Sequence, residues 1–132
     1  MKEDFWQREE SYSAGTDIVL RKVQHKDKES FLELQKENAI IKSILQEETY
    51  CDMLWDEHIE DKALMFSIEA GGEYAGYCGI KNTTSERWEI VIEILKKWKH
   101  KGVGYAAVST MLDAIKKYLG VTEFRVRAIY TK

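Results

Sequence analysis

The order of hydrophobic and polar positions along the chain predicts eight secondary-structure elements. Short apolar or alternating runs indicate strands, whereas apolar residues that recur every three or four positions indicate helices. This pattern gives the order β-α-α-β-β-β-α-β, with strands over 18–23, 64–70, 74–80, 88–95 and 123–130 and helices over 26–39, 43–61 and 102–119. Residues 1–15 are mostly polar and are expected to form a loose leader. The sequence therefore predicts an α+β, or mixed α/β, fold in a single domain that spans residues 1–132.

Turn and cap signals support several of these boundaries. Gly71 and Gly72 separate two strand-like runs, which is typical of a hairpin turn. Asp27 stands where an N-cap of the first helix is expected, and Gly120 follows the last helix at the position of a left-handed C-cap. The second predicted helix carries many acidic side chains, which either attract a cationic substrate or simply face solvent.

Composition narrows the class of protein. The 132 residues carry 20 basic and 23 acidic side chains, a net charge of −3, which argues against a nucleic-acid-binding surface. No apolar run is long enough to span a bilayer, and the charged first 15 residues lack the apolar stretch of a signal peptide. We therefore expect a cytoplasmic protein with no membrane partner. Cys51, Cys78 and three scattered histidines show no ligand spacing, so no metal site is predicted.

The segment between the strand at 88–95 and the helix at 102–119 carries the strongest chemical signal. Four lysines and a histidine fall within residues 96–101, directly before a Gly-Val-Gly run. Glycines allow a phosphate to approach the backbone, and the free N–H groups and dipole of a first helical turn attract an anion. We therefore predict an anion cradle formed by Lys99, His100, Lys101, Gly102, Val103, Gly104 and Tyr105.

This segment has three other interpretations besides an anion cradle. A lysine-rich connector and a glycine turn are often purely structural. Residues 102–107 match the G-x-G-x-x-A pattern of dinucleotide-binding folds, but six residues separate them from their strand and the next strand ends without an acidic residue. A nucleotide-binding P-loop is excluded because no Gly-Lys-Ser/Thr is present.

The segment resembles motif A of the GNAT superfamily of N-acetyltransferases, whose loop follows (Arg/Gln)-x-x-Gly-x-(Gly/Ala). Residues 99–104 fit it with lysine at the first position, and the strand over 89–94 is similar to that of the branch that acetylates ribosomal-protein N-termini. The resemblance implies a mostly antiparallel central sheet flanked by helices, with acetyl-CoA as acyl donor. It also implies that the backbone of Ile92, Glu93 and Ile94 pairs with the pantetheine arm, while residues 99–105 surround the pyrophosphate.

The resemblance is incomplete at the carboxyl end. Family members continue past the fifth strand with a further helix and a strand pair, which often include a tyrosine that protonates the leaving thiolate. This sequence stops at Lys132, so the fold is expected to be truncated after the fifth strand, with Tyr130 as a weak substitute for that acid. An open strand edge over 123–130 favours pairing with a second copy, so a homodimer is expected.

Glu89 is the candidate catalytic base. Aminolysis of a thioester needs a neutral amine, and a carboxylate takes the proton of the ammonium form directly or through water. Strand alternation places Glu93 on the same face as Glu89. The alternative interpretation is that both are ordinary strand residues that face solvent. Trp55, Trp88 and Trp98 are expected in the core rather than in an acceptor pocket.

Two functions are consistent with these observations. The first is transfer of an acetyl group from acetyl-CoA to a primary amine, which belongs either to a small molecule or to a protein N-terminus. The second is a CoA-binding module without turnover, which the missing carboxyl-terminal elements suggest. The amine acceptor is the only partner that the first function requires, apart from acetyl-CoA itself.

Overall fold

The computed structural model describes residues 2–40 and 42–126. Within these ranges it contains four α-helices: α1 Lys2–Arg8, α2 Lys28–Asn38, α3 Glu48–His58 and α4 Val103–Leu119. It also contains six strands: β1 Ser11–Ser13, β2 Ile18–Lys22, β3 Leu64–Ala70, β4 Glu73–Lys81, β5 Trp88–Ile94 and β6 Phe124–Val126. Short 3₁₀ turns lie at His25–Asp27, Lys42–Gln46 and Lys96–Trp98.

The strands form one sheet in which each strand pairs with its neighbour in the sequence. The pairings from β1 to β5 are antiparallel, and β5 pairs with β6 in parallel. Because a parallel pair needs a crossover connection, α4 lies between β5 and β6 in the chain. The sheet confirms the predicted α+β class with mostly antiparallel strands. None of the described helices is long and apolar enough to cross a membrane.

Helices cover both faces of the sheet and bury a separate apolar cluster on each. On one face, α1 and α4 pack on the strands around Phe5, Phe66, Met111 and Ile115. On the other face, α2 and α3 form the second cluster, whose buried members are Phe31, Leu34, Trp55, Ala63, Met65 and Tyr77. Residues of β5 alternate between these two clusters, so the strand that leads into the basic loop is fixed from both sides.

The first fifteen residues are not the loose leader that their polarity predicts. In the described part of this segment, α1 places Phe5 and Trp6 in the core, and β1 pairs with β2. The ring of Phe5 meets the ring of Phe66 edge-on, with 5.6 Å between centroids. Aromatic side chains bury about 150–250 Å² each. Two adjacent aromatic residues therefore fix a short helix that the surrounding charges disfavour.

Asp27 does not cap α2 as the sequence predicts, because its side chain makes no cap hydrogen bond to that helix. Its buried carboxylate instead accepts two hydrogen bonds from Arg21, at 2.7 and 2.8 Å, and one each from Ser67 and the Gln24 N–H, both at 2.8 Å. Burial opposes the charge, but these donors outweigh it and hold the pKa of Asp27 below its usual value. Asp27 thus fixes the connection from β2 to α2.

Other predicted boundaries hold or move by a few residues. The strand over 64–70 is confirmed to the residue, and a turn at Gly71 and Gly72 joins it to β4. The predicted helix over 43–61 divides into a 3₁₀ turn and α3, because Glu47 between them is extended, with φ −82° and ψ 113°. The last strand is confirmed for Phe124–Val126, while residues 127–130, including Tyr130, lie outside the described residues.

Candidate functional site

The loop between β5 and α4 turns sharply before the helix begins. His100 and Gly102 both adopt left-handed backbone conformations, with φ of +61° and +79°. The hydrogen bond from the Ala106 N–H to the Gly102 oxygen, at 3.1 Å, is the first of the α4 ladder. The N–H groups of residues 103–105 precede it, so the helix itself offers them no acceptor. The loop thus presents a row of backbone donors at the positive end of the helix dipole.

The two glycines of this loop have different surroundings. A Cβ atom added to Gly102 would meet no heavy atom within 4 Å, so open space faces this residue. A Cβ atom added to Gly104 would lie 3.3 Å from Cδ1 of Ile92 and 3.7 Å from Cγ1 of Ile94. Gly104 therefore allows α4 to pack closely on β5, whereas open space lies in front of Gly102. The sequence pattern alone did not separate these two roles.

Trp98 fixes the basic loop to the turn between β3 and β4. Its Nε1 donates a hydrogen bond to Glu73 at 3.2 Å, and its Cη2 lies 3.4 Å from the Cβ position of Gly71. The ammonium groups of Lys97 and Lys101 lie 5.6 and 5.4 Å from the ring centre. Such cation–π contacts contribute about 0.5–1 kcal/mol at exposed sites. Trp98 therefore orients the loop and its lysines, a role that the sequence did not indicate.

The backbone of β5 is paired along one edge and only partly along the other. Toward β4, residues 89–94 are all paired. Toward β6, the ladder covers residues 88–90. No strand in the described part of the chain pairs with the second edge of β5 at residues 92–94. Because the side chains of Ile92 and Ile94 adjoin Gly104, this open edge lies beside the basic loop.

Glu89 lies near the beginning of β5 and is buried, with 5% of its surface exposed. The Asn82 side chain donates a hydrogen bond to its Oε2 at 2.9 Å. Strand alternation puts Glu89 on the face of Val91, which packs with the cluster of α2 and α3. The alternative that Glu89 faces solvent is therefore wrong. Glu93 lies on the same face, about 13 Å further along the strand.

Three hydrogen-bond donors hold the side chain of Glu93. Its Oε1 accepts from Gln35 at 3.2 Å and from the Tyr77 hydroxyl, and its Oε2 accepts from Asn38 at 2.9 Å. Burial, reinforced by the charge of Glu93, raises the pKa of Tyr77 above its usual value, so the hydroxyl keeps its proton and donates. Sequence reasoning assigned a role to the Glu93 backbone and missed these partners. Gln35 and Asn38 belong to α2 and are more than 50 residues away from Glu93 in the sequence. No local pattern could therefore indicate that they contact it.

A cavity of about 380 Å³ opens beside Glu93, and we call it the Glu93 cavity. It lies between α2, the 3₁₀ turn at Lys42–Gln46, α3 and β5. Its volume falls within the range of about 300–1,000 Å³ that is typical of small-molecule sites. The polar side chains that line it are Gln35, Asn38 and Glu93, and the apolar lining includes Ile44, Tyr50 and Leu54.

The other residues that the sequence singled out have structural surroundings. Trp55 is buried beside Phe31 and His58, and Trp88 packs at the border of the opposite cluster. Cys78 is fully buried, and burial raises the pKa of its thiol. Within residues 2–40 and 42–126, no group of three His, Cys, Asp or Glu side chains is arranged to hold a metal ion.

The family described as the acetyltransferase (GNAT) domain matches residues 17–131. The chain therefore belongs to the GNAT acetyltransferase family.

Solved structures share this fold at low sequence identity. RimL, a ribosomal alpha-N-protein acetyltransferase in its apo form, matches with a TM-score of 0.67 and 12% identity over 89% of this chain and 70% of that one. The acetyltransferase MccE, which provides self-immunity to a microcin and is in complex with acetyl-CoA and AMP, gives 0.62 and 13% over 82% and 67%. RimJ of Mycobacterium smegmatis, in complex with CoA-disulfide, gives 0.59 and 19% over 79% and 58%. No curated protein sequence matches the chain.

Proposed function

We propose that the protein transfers an acetyl group from acetyl-CoA to a primary amine. The observation that carries this proposal is the adjacency of two backbone features, the open edge of β5 at residues 92–94 and the donor row at residues 103–105. Both features suit CoA, whose pantetheine arm carries amides and whose pyrophosphate carries negative charge. The open space at Gly102 leaves room for the pyrophosphate, and Lys99 and Lys101 add positive charge beside it.

Each residue of the site has a defined task in this reaction. Acetyl-CoA supplies the thioester carbonyl carbon, at which the bond to the amine nitrogen forms as the bond to sulfur breaks. The N–H groups of residues 103–105 bind the pyrophosphate, and the backbone of residues 92–94 orients the arm. Glu89 takes a proton from the attacking amine, and because its carboxylate is only 5% exposed, we propose that water relays this proton. Solvent supplies the proton for the departing thiolate.

The burial of Glu89 is also the observation that favours a second candidate function. A base with 5% exposure has limited access to an acceptor amine. If no amine reaches it, the same cradle serves a CoA-binding module without turnover. The two candidates share the binding site and differ only in chemistry.

One experiment separates these candidates. Thiol release from acetyl-CoA is followed with a panel of alkylamines and short peptides, and the thermal shift on adding CoA is measured in parallel. Stabilisation by CoA together with amine-dependent thiol release supports the acetyltransferase. Stabilisation without release for every amine selects the binding module, and a protein that neither binds CoA nor releases thiol contradicts both.

Two further expectations from the sequence stay predictions. Cys51 and Cys78 are both free thiols. This supports a cytoplasmic location, because a reducing compartment keeps cysteines in the thiol form. The homodimer expectation rests on residues 123–130, of which the structure describes the strand through Val126. Light scattering after size exclusion tests it, because a dimer has twice the monomer mass of 15.4 kDa.

A further inference from the structure

The Glu93 cavity contains a carboxylate that has hydrogen-bond donors but no cation. Its Oε1 accepts two hydrogen bonds, from Gln35 and Tyr77, which fills the two lone pairs of that oxygen. Its Oε2 accepts one, from Asn38, and so keeps capacity for another donor. No lysine or arginine whose side chain the structure describes forms an ion pair with Glu93. Among the described side chains, Glu93 is therefore held by uncharged donors alone.

The other side chains that line the Glu93 cavity are mostly apolar. Ile44, Tyr50 and Leu54 line it with hydrocarbon and one aromatic ring. Such a lining gains free energy when it covers an apolar ligand surface, at about 25 cal/mol for each Å² removed from water. A carboxylate together with apolar contacts matches a ligand with a cationic head and a hydrocarbon body.

We propose that the Glu93 cavity binds the acceptor as a primary alkylammonium, with its nitrogen on Glu93 Oε2 and its hydrocarbon chain against Ile44, Tyr50 and Leu54. This inference rests on the proposed function, because it names the acceptor class for the same acetyl transfer. A peptide α-amine would bring polar backbone groups against Ile44, Tyr50 and Leu54, where burial without a hydrogen-bond partner costs free energy. The cavity thus selects small aliphatic amines over protein N-termini.

The position of Glu93 places such a ligand close to the open strand edge. Glu93 belongs to the segment at residues 92–94 whose backbone forms that edge, and its side chain points to the face of α2 and α3. One residue of a strand rises by about 3.3 Å. A nitrogen held on Glu93 lies beside this segment. Glu89 is four residues earlier on the same face, about 13 Å away along the strand, so several linked water molecules are needed to carry the proton between them. Glu93 is here a specificity-determining residue, and Glu89 keeps the role of base.

Calorimetry with a matched pair of ligands tests the proposal. Hexylammonium chloride and hexan-1-ol share the hydrocarbon chain and differ in charge, and each is titrated into the protein with and without CoA. Hydrogen bonds to charged groups contribute enough that we expect hexylammonium to bind roughly 10- to 100-fold more tightly than hexan-1-ol. In the series from propyl- to hexylammonium, each added methylene should strengthen binding roughly 4-fold until the cavity is filled.

A variant pair adds a second, independent comparison. Glu93→Gln keeps the shape of the side chain and removes its charge, so hexylammonium should bind roughly 10- to 100-fold more weakly while hexan-1-ol and CoA bind as before. Glu33→Gln is the control, since Glu33 is an exposed residue of α2 outside the cavity and carries the same charge. Its binding of all three ligands should equal that of the wild type.

The outcomes distinguish a failure of this inference from a failure of the proposed function. Equal binding of hexylammonium and hexan-1-ol to the wild type overturns the inference, and this comparison needs no variant to fold. A higher kcat/KM for a tetrapeptide α-amine than for hexylamine, unchanged by Glu93→Gln, also overturns it while the acetyltransferase stands. Absence of CoA binding contradicts the proposed function, whereas charge-dependent hexylammonium binding in the same sample still supports the cavity.

Discussion

Replacing Gly102 with alanine separates the binding role of the loop from its backbone conformation, because Gly120 provides a matched control. The two glycines cap opposite ends of α4 in left-handed conformations, with φ of +79° and +69°. A Cβ atom added at either position would meet no heavy atom within 4 Å. The variants Gly102→Ala and Gly120→Ala therefore impose the same kind of backbone strain. Only the first places a methyl group at the proposed pyrophosphate site.

The expected magnitudes follow from these surroundings. A left-handed conformation costs an L-residue roughly 1–2 kcal/mol relative to glycine, so both variants should lose about that much stability. The methyl group on residue 102 also occupies the space in front of the backbone donors. Losing one hydrogen bond to a charged pyrophosphate oxygen costs about 1.5–3 kcal/mol, which corresponds to roughly 10- to 150-fold weaker CoA binding. Gly120→Ala, at the other end of the helix, should bind CoA as the wild type does.

Urea unfolding and calorimetric titration with CoA measure the two effects separately. We expect similar unfolding free energies for the two variants and a weaker CoA affinity for Gly102→Ala alone. If both variants bind CoA with wild-type affinity, the loop is not the pyrophosphate site. If both lose affinity equally, the loss comes from helix stability rather than from the cradle.

Three further predictions address the base, the basic loop and an acid-sensitive core residue. Glu89→Gln should slow acetyl transfer most at neutral pH and least at high pH, where free amine is abundant, without changing CoA affinity; a wild-type rate at neutral pH removes Glu89 from the mechanism. Lys99→Gln should weaken CoA binding by about 1 kcal/mol or less and reduce the salt dependence of that binding. The control Lys117→Gln, at an exposed position near the end of α4, should change neither the CoA affinity nor its salt dependence. Burial lowers the pKa of His58 from 6.5 to about 3, so the unfolded chain binds a proton that the folded chain excludes. The free energy of unfolding should therefore fall as the pH drops below about 6.5, by on the order of 2–3 kcal/mol at pH 4.5. Urea unfolding should show a smaller fall in His58→Phe than in the wild type. An equal dependence of the unfolding free energy on pH in the two proteins would mean that folded His58 accepts the proton.

Elements with a strong local pattern were predicted well from the sequence. The strand over residues 64–70 is confirmed to the residue, and the helix over 102–119 begins one residue later than predicted. The bounds of these two segments could be predicted because the hydrophobic periodicity that defines each one lies within the segment itself. The helix α1 was missed because its charged residues outnumber Phe5 and Trp6, and only packing against Phe66 reveals its stability. The prediction that Asp27 caps α2 was wrong because its carboxylate is held partly by Ser67, which is 40 residues away in the sequence.

The candidate site divides along the same line. The basic loop could be predicted because its lysines, glycines and helix start are contiguous in the sequence. The different roles of Gly102 and Gly104 depend on how closely α4 approaches β5, which no local pattern encodes. The Glu93 cavity likewise forms only when α2 and α3 fold over β5, so it could not be predicted from the sequence.

An amide chemical-shift titration of the ¹⁵N-labelled protein with CoA shows directly whether residues 99–105 form the CoA site. We expect the largest shifts for the backbone N–H groups of residues 99–105 and for those at the open edge of β5, residues 92–94. The Gly120 amide at the far end of α4 serves as an internal reference and should not move. Saturable shifts that centre on another part of the sheet, or no shifts at all, would contradict the assignment of this loop as the CoA site.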